Sequence, residues 1–269
     1  MAFFCVFGNP IKHSLSPIIH ERFAKQLGHQ LEYRRELVSA GRFASTVASL
    51  FSQGLAGANV TLPYKGEAFK LATQHTAAAK LGEAVNTLIP QPFGGLLGAN
   101  TDGLGLLYDL QRQQVDLTGQ RVLILGAGGA VRGVLTALVD ANPELIWIAN
   151  RTPEKAEQLA SRYDKVRVFA SQQAPASVDI IINATSASLS GQIPKVSDGL
   201  LSSAQFIYDM VYAPQATPFL RFASAHSEAR LSDGLGMLVG QAAASYQLWW
   251  QSEKPNMTTV VNALRQQWA

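Results

Sequence analysis

Apolar runs that end in small or polar residues recur along this chain, at intervals that a helix can fill. The run at 122–125, Val-Leu-Ile-Leu, shows no alternation, which predicts a strand buried on both faces as in a parallel sheet. Glycines follow at 126, 128 and 129, then a helical composition over 130–139 and a second apolar run at 145–149. Together these predict a βαβ unit of about 30 residues. A helix over 153–163 and strands over 166–169, 179–183 and 206–210 continue the pattern. The stretch 232–236 reads as flexible, 237–250 as one long helix broken at Pro255, and the last helix runs to Trp268.

The first part of the chain reads differently. A strand over 3–7 leads to a loop and a helix over 18–26, with Ser16 placed as N-cap and Pro17 at the first helical position. A strand over 31–37, a helix over 42–53 and a terminus over 54–57 follow. In 58–62, Asn59 and Thr61 alternate with Val60 and Leu62, as in a strand with one polar and one apolar face. Lys65 stands just past Pro63, where that strand ends. Helices over 66–71 and 77–81 precede a strand over 84–89, which Asn86 interrupts against β propensity. Its amide either satisfies buried backbone groups or binds a ligand. A short strand from 96 ends in Asn100-Thr101-Asp102, and a helix over 105–113 carries the chain onward.

The long late helix has no strand after it, so it is expected to return to the first part of the chain. The fold class is therefore α/β with two domains. One, over 1–101 completed by the helices of 237–269, would bind substrate; the other, a doubly wound nucleotide domain over 102–236, is inserted between.

Composition narrows the function. Hydrophobic residues are 47% of the 269 and charged residues 15%, enough for sizeable cores. The net charge of +3 is scattered, which does not imply nucleic acid and suits anionic small molecules. The amino terminus lacks the basic start of a signal peptide, and no window of about 18 apolar residues exists, so no membrane span is expected. Cys5 is the single cysteine and lies in an apolar strand, which excludes an intrachain disulfide and fits a buried thiol in a cytoplasmic protein. The five histidines show no metal-binding spacing, and no metal is expected.

Candidate chemistry gathers at strand ends. Gly126, Gly128 and Gly129 permit a sharp turn that aims the N–H groups of the next helix at a pyrophosphate. Val131 stands where a third glycine would complete the usual motif. After the second strand the chain has Asn150-Arg151-Thr152, with Lys155 a turn later, where an NAD site would carry a carboxylate. Arg151 suits a 2′-phosphate and Thr152 can cap the next helix, so the cofactor expected is NADP. The bland alternative makes Arg151 and Lys155 solvated helix-start charges. Likewise Ser14, Ser16 and Asp102 could serve only as caps and turns.

Taken in order, Asn9-Pro10-Ile11, Ser14-Leu15-Ser16-Pro17, Asn59-Val60-Thr61-Leu62-Pro63-Tyr64-Lys65, Ala84-Val85-Asn86-Thr87, Asn100-Thr101-Asp102-Gly103, Gly126-Ala127-Gly128-Gly129-Ala130, Asn150-Arg151-Thr152, Asn183-Ala184-Thr185-Ser186 and Asp233-Gly234-Leu235-Gly236-Met237 resemble the shikimate dehydrogenase family along nearly the whole chain. The resemblance implies a Rossmann-like NADP domain and reversible reduction of 3-dehydroshikimate to shikimate in aromatic amino acid biosynthesis. It implies Lys65 and Asp102 as the catalytic pair. Ser14, Ser16, Asn59, Thr61, Asn86, Asp102, Tyr212 and Gln241 would line the substrate site. Gly126, Ala127, Gly128, Gly129, Ala130, Asn150, Arg151, Thr152 and Lys155 would bind NADP, with Met210 and Gly234 near the nicotinamide.

Gly66, Ala77, Ala99 and Ala187 depart from the residues usual in the family. The partner expected is a small molecule, with the chain a monomer or homodimer. The competing readings are a broader quinate/shikimate dehydrogenase and a non-catalytic NADP-binding regulator of the same fold. Retention of both Lys65 and Asp102 speaks against the regulator.

Overall fold

The computed structural model describes residues 1–170 and 175–268. Residues 171–174 and Ala269, over which the predicted domain ranges run, lie outside the described residues. The chain forms two compact units, Met1–Gly105 with Val239–Leu264, and Leu106–Leu238 with the chain end from Arg265. Compared with the expected ranges, the first unit extends to Gly105 and leaves residues 237–238 and those from 265 to the second.

The first unit starts with β1 (Ala2–Gly8), α1 (Ser16–Leu27), β2 (Leu31–Leu37), α2 (Phe43–Ser52), β3 (Leu55–Val60) and α3 (Lys65–Leu71). It continues with β4 (Gln74–His75), α4 (Ala77–Gly82), β5 (Thr87–Pro90), β6 (Leu96–Ala99) and the start of α5 (Asp102–Arg112). Its six strands pair in the order β2-β1-β3-β5-β6-β4. β1 lies parallel to β2 and β3, whereas β5 runs antiparallel to both β3 and β6. Side chains of β1 alternate between two cores: Cys5 and Phe7 pack with Val47, Ala58 and Val60, while Phe4 and Val6 pack with Tyr33, Trp249 and Trp250.

Several expectations are corrected here. Leu62 lies beyond β3 and is 73% exposed, so it does not join the apolar face that alternation assigned to it. β3 begins at Leu55, inside the stretch read as a helix terminus, and Gly57 belongs to it because a Cβ there would meet the Trp249 indole. β5 starts only after Asn86, so the asparagine precedes the strand rather than interrupting it. Ser16 is the first residue of α1, not its cap: Leu15 holds that position and no side chain caps the helix.

The second unit comprises β7 (Arg121–Leu125), α6 (Gly129–Asp140), β8 (Leu145–Ala149), α7 (Pro153–Ala160), β9 (Val166–Val168), β10 (Ile180–Asn183), α8 (Asp198–Ser203), β11 (Phe206–Asp209), α9 (Pro218–His226) and β12 (Arg230–Asp233). The chain then runs through α10 (Leu235–Trp250) and α11 (Met257–Gln266). Its strands are all parallel, in the order β12-β11-β10-β7-β8-β9. This doubly wound order reverses direction between β7 and β10, the switch point at which such sheets bind ligands. The continuous apolar runs are explained by burial on both faces. Val122, Ile124, Ile146 and Ile148 pack against α6 and α7, while Leu123, Leu125 and Ile181 pack against α8 and α9. β12 takes in Ser232 and Asp233 of the stretch read as flexible and α10 starts at Leu235; pairing with β11 orders a segment whose composition carries no strand signal of its own.

Candidate functional site

Lys65 opens α3 just beyond the end of β3, and Asp102 opens α5 just beyond the end of β6. Their side chains meet, Lys65 Nζ lying 2.6 Å from Asp102 Oδ2. Asn100 Oδ1 accepts from the Asp102 amide at 3.0 Å, which sets the start of α5. The second carboxylate oxygen of Asp102 accepts from Asn86 Nδ2 at 2.8 Å. Asn86 Nδ2 also approaches Gln241 Oε1 at 2.9 Å, so α10 supplies the next polar group of the cluster. Asn86 Oδ1 accepts from the Thr101 amide and from Thr87 Oγ1, both at 2.9 Å. The amide that ran against β propensity thus satisfies buried groups of the neighbouring segments. The lysine side chain keeps 28% exposure against 9% for the aspartate, so the cation is the more accessible half of the pair.

Ser14 and Ser16 share one turn. Ser14 Oγ donates to Ser16 Oγ at 3.1 Å and accepts from the Ser16 amide at 3.3 Å. Arg35, which composition alone did not single out, donates through Nε and Nη2 to the Ser14 carbonyl at 2.9 and 2.7 Å. Thr61 is half-buried, its amide donating to Phe7 O at 2.9 Å at the carboxyl end of β1. Asn59 is buried, and its amide is fully engaged: Oδ1 accepts from Tyr33 OH at 2.7 Å and faces His20 Nε2 at 3.1 Å, and Nδ2 donates to Asn86 O at 3.1 Å and Ser245 Oγ at 3.0 Å. These bonds place Asn59 behind the polar cluster rather than on its open side. His20, Tyr33 and Ser245 were not recognisable as site residues; the one available signal was Ser245, a helical turn beyond Gln241.

Burial sets the His20 imidazole apart. It is stacked on Tyr33 with ring centroids 4.5 Å apart, and desolvation lowers its pKa to about 3 despite the bond to Asn59. The unfolded chain takes up this proton below about pH 6.5 while the folded chain refuses it. Stability is therefore complete above that pH and lost as pH falls toward 3. The expected slope from this group is about 1.4 kcal/mol per pH unit. Urea unfolding between pH 7 and pH 4.5 should show a flatter pH dependence for His20→Gln than for the wild type; equal slopes would rule this contribution out.

In the second unit, Gly126 ends β7 with φ +112°, and a Cβ there would crowd Thr185 and the Ala184 backbone across the switch point. Gly128 and Gly129 face open space, and α6 begins without a side-chain cap or an acidic residue in its first turn. Ala127 is buried beneath this turn, and Ala130 continues it. Val131, in the place of a third glycine, is fully buried in the core under the helix. Arg151, Thr152 and Lys155 are exposed just beyond β8, and Asn150 Nδ2 donates to Thr152 O at 2.8 Å. Thr152 occupies the N-cap position of α7, yet its side chain makes no capping bond, contrary to expectation.

Met210 and Gly234 come together at the end of β11, where a Cβ on Gly234 would collide with the Met210 carbonyl. Asp209, missed by the sequence reading, is buried there and accepts from Asn183 Nδ2, Ser188 Oγ, Thr217 Oγ1 and the Val211 amide at 2.6–3.1 Å. Burial pushes its carboxyl pKa up against those four donors. Tyr212 stacks on Trp268 at 6.3 Å, and burial raises its phenol. Tyr212, Met210 and Gly234 belong to the second unit, whereas the serines, Lys65 and the amides belong to the first. Among the described residues no group of three or more His, Cys, Asp or Glu side chains could hold a metal, and no helix is long and apolar enough to cross a membrane.

A doubly wound parallel unit with an uncapped glycine-rich helix start, joined in one chain to a unit that gathers amides and hydroxyls around an ammonium–carboxylate pair, defines a nicotinamide-nucleotide-dependent oxidoreductase of two domains. A family model described as the shikimate dehydrogenase substrate binding domain matches residues 6–88, and one described as shikimate / quinate 5-dehydrogenase matches 109–193. The shikimate dehydrogenase (NADP(+)) of Cellvibrio japonicus is 46% identical over 268 residues, covering 98% of this chain and 97% of that protein. Two solved structures are similar over nearly their full lengths. An Ael1 enzyme from Pseudomonas putida aligns with a TM-score of 0.94 at 39% identity, over 98% of both chains. Shikimate 5-dehydrogenase from Thermus thermophilus, in complex with NADP(H) and shikimate, aligns with a TM-score of 0.88 at 32% identity, over 99% of both. The chain belongs to the shikimate dehydrogenase family.

Proposed function

We propose that this chain catalyses the reversible reduction of 3-dehydroshikimate to shikimate with NADPH, with Lys65 and Asp102 as the pair that gives and takes the proton. The observation that carries the assignment of roles is the 2.6 Å contact between Lys65 Nζ and Asp102 Oδ2, with Asn86 holding the other carboxylate oxygen. Reduction adds a hydride to the ketone carbon and a proton to its oxygen, so negative charge develops on that oxygen. The hydride is the chemistry that the cofactor supplies when bound. Lys65 offers a cation to the developing charge and a proton to complete the alcohol. Asp102 orients the ammonium and keeps it paired, and in the oxidative direction the pair takes the proton back.

The remaining groups divide the substrate between them. Ser14 and Ser16 suit the carboxylate, while Asn86, Asp102, Thr61 and Gln241 suit the ring hydroxyls. Asn59 supports this set from behind. The uncapped start of α6, the open space over Gly128 and Gly129, and the absence of a carboxylate beside Arg151 fit NADP: Gly126 to Ala130 would face the pyrophosphate, and Arg151, Thr152 and Lys155 the 2′-phosphate. Asn150 would hold that loop, and Met210 and Gly234 would border the nicotinamide. The buried single thiol of Cys5 supports a cytoplasmic setting, and we assign a monomer or homodimer as the working form.

Initial rates of cofactor reduction with shikimate or quinate, each with NADP or NAD, test this function. Fast turnover confined to shikimate with NADP is expected. Comparable use of quinate or NAD would move the chain to the broader dehydrogenases, and NADPH binding without turnover would make it a regulator.

A further inference from the structure

We infer that Tyr33 and His20 are positioning residues of the substrate site, which act through Asn59 on Asn86 and, through it, on Asp102 and Lys65. This rests on the reading of the site given above, and no part of the expected chemistry calls on either ring. Tyr33 is 5% exposed and His20 is fully buried.

The direction of each hydrogen bond follows from what the atoms can do. The Asn86 carbonyl can only accept, so Asn59 must turn its NH₂ group toward it and toward Ser245. Asn59 Oδ1 therefore faces the aromatic side, where it needs donors. Tyr33 OH gives one at 2.7 Å, and His20 must give the other by carrying its proton on Nε2, 3.1 Å away. That tautomer leaves Nδ1 bare, and Nδ1 is the ring atom that is buried without a partner. A bare acceptor is easier to bury there than an orphaned N–H.

The Tyr33 proton is therefore committed to Asn59. The result is a one-way series of donors, from Tyr33 to Asn59 to the Asn86 carbonyl. The Asn86 side chain then reaches Asp102 Oδ1, and Lys65 closes on Oδ2. Ser245 braces the middle, lying 2.7 Å from Thr87 Oγ1 and donating to Gln241 O at 2.9 Å.

Every polar atom of Asn59 is thus committed, and its side chain holds one orientation only while both rings donate. Without the Tyr33 hydroxyl, Asn59 loses a donor. Without the His20 donor, the Asn59 carbonyl loses its second partner.

The test compares the full-length wild type with Tyr33→Phe, His20→Gln and His20→Leu in steady-state kinetics, with melting temperatures measured alongside. Tyr33→Phe keeps the ring stacked on His20 and removes only the hydroxyl. It should lower kcat/KM for shikimate roughly ten-fold, about the worth of one buried hydrogen bond, with the KM for NADP unchanged. His20→Leu should lose a similar factor, and His20→Gln, which can still donate to Asn59, should recover most of it. Nitrogen NMR of the wild type should show the His20 proton on Nε2. A lower melting temperature with unchanged kcat/KM would make both residues merely structural and overturn the inference, as would a proton on Nδ1. A wild type that turned over no shikimate would overturn the reading of the site and this inference with it. Normal turnover in both the wild type and Tyr33→Phe would overturn the inference alone.

Discussion

Lys65→Ala should lower kcat for shikimate oxidation by roughly 10²–10⁴-fold, the range of a single proton-transferring group, while NADP binding stays intact. The expectation follows from the pairing at Asp102. With the ammonium gone, the substrate oxygen loses both the positive charge beside it and the proton partner, and the carboxylate that remains would repel developing negative charge. Asp102→Asn keeps the shape and the approach of Asn86 but removes the charge that orients the lysine, so a loss of the same order is expected. Because the two act as one unit, Lys65→Ala combined with Asp102→Asn should cost little more than the worse single change. Lys65 starts α3 with a partly exposed side chain, so its removal should barely move the melting temperature. A Lys65→Ala protein that kept kcat within a few-fold of wild type would remove the pair from the mechanism.

Arg151→Ala should raise the KM for NADP by roughly ten- to a hundred-fold, as expected for a charge-assisted contact to a phosphate, and leave the KM for NAD almost unchanged. Arg151 lies exposed just beyond β8, with no acidic side chain at the strand end to repel a 2′-phosphate. Thr152 adds a hydroxyl that capping of α7 does not consume. Arg151→Asp should go further and favour NAD, since a carboxylate there can take the ribose hydroxyls and repels the phosphate. Equal increases in KM for both cofactors would mean that Arg151 serves the common part of the nucleotide, and no change would leave it a solvated charge at a helix start.

Both expectations draw on residues that could be picked out along the chain, because each stands at a punctuation mark: Lys65 just past a proline, Arg151 after an apolar run. The strands made of unbroken apolar runs were equally plain. β8 spans Leu145–Ala149, the same five residues that the unbroken apolar run marks: Ile146 and Ile148 are buried in one core, and Trp147 and Ala149 pack half-buried against the other. α6 and α11 begin and end close to where composition places them.

Where neighbours in space rather than in sequence decide, the linear pattern misleads. Leu62 fits a period of two, yet β3 has already ended and the side chain stands in solvent. β12 carries Arg, Ser and Asp in four residues, and only its pairing with β11 makes it a strand. The strand read over 206–210 gave Asp209 no role of its own, whereas four donors from separate segments make it the buried anchor of that strand end.

The chain on its own dictates its apolar strands and its main helices, the glycine turn of the nucleotide unit and the residue types that chemistry requires, since these depend on side-chain period and local backbone sterics. Only folding in three dimensions decides what those side chains are joined to. Asn59 meets Ser245 across 186 positions, Asn86 meets Gln241 across 155, and His20 reaches Asn59 across 39. A hydrogen bond has a range of about 3 Å and no memory of separation along the chain, so a buried polar network becomes visible only once the sheet and α10 have brought its members together.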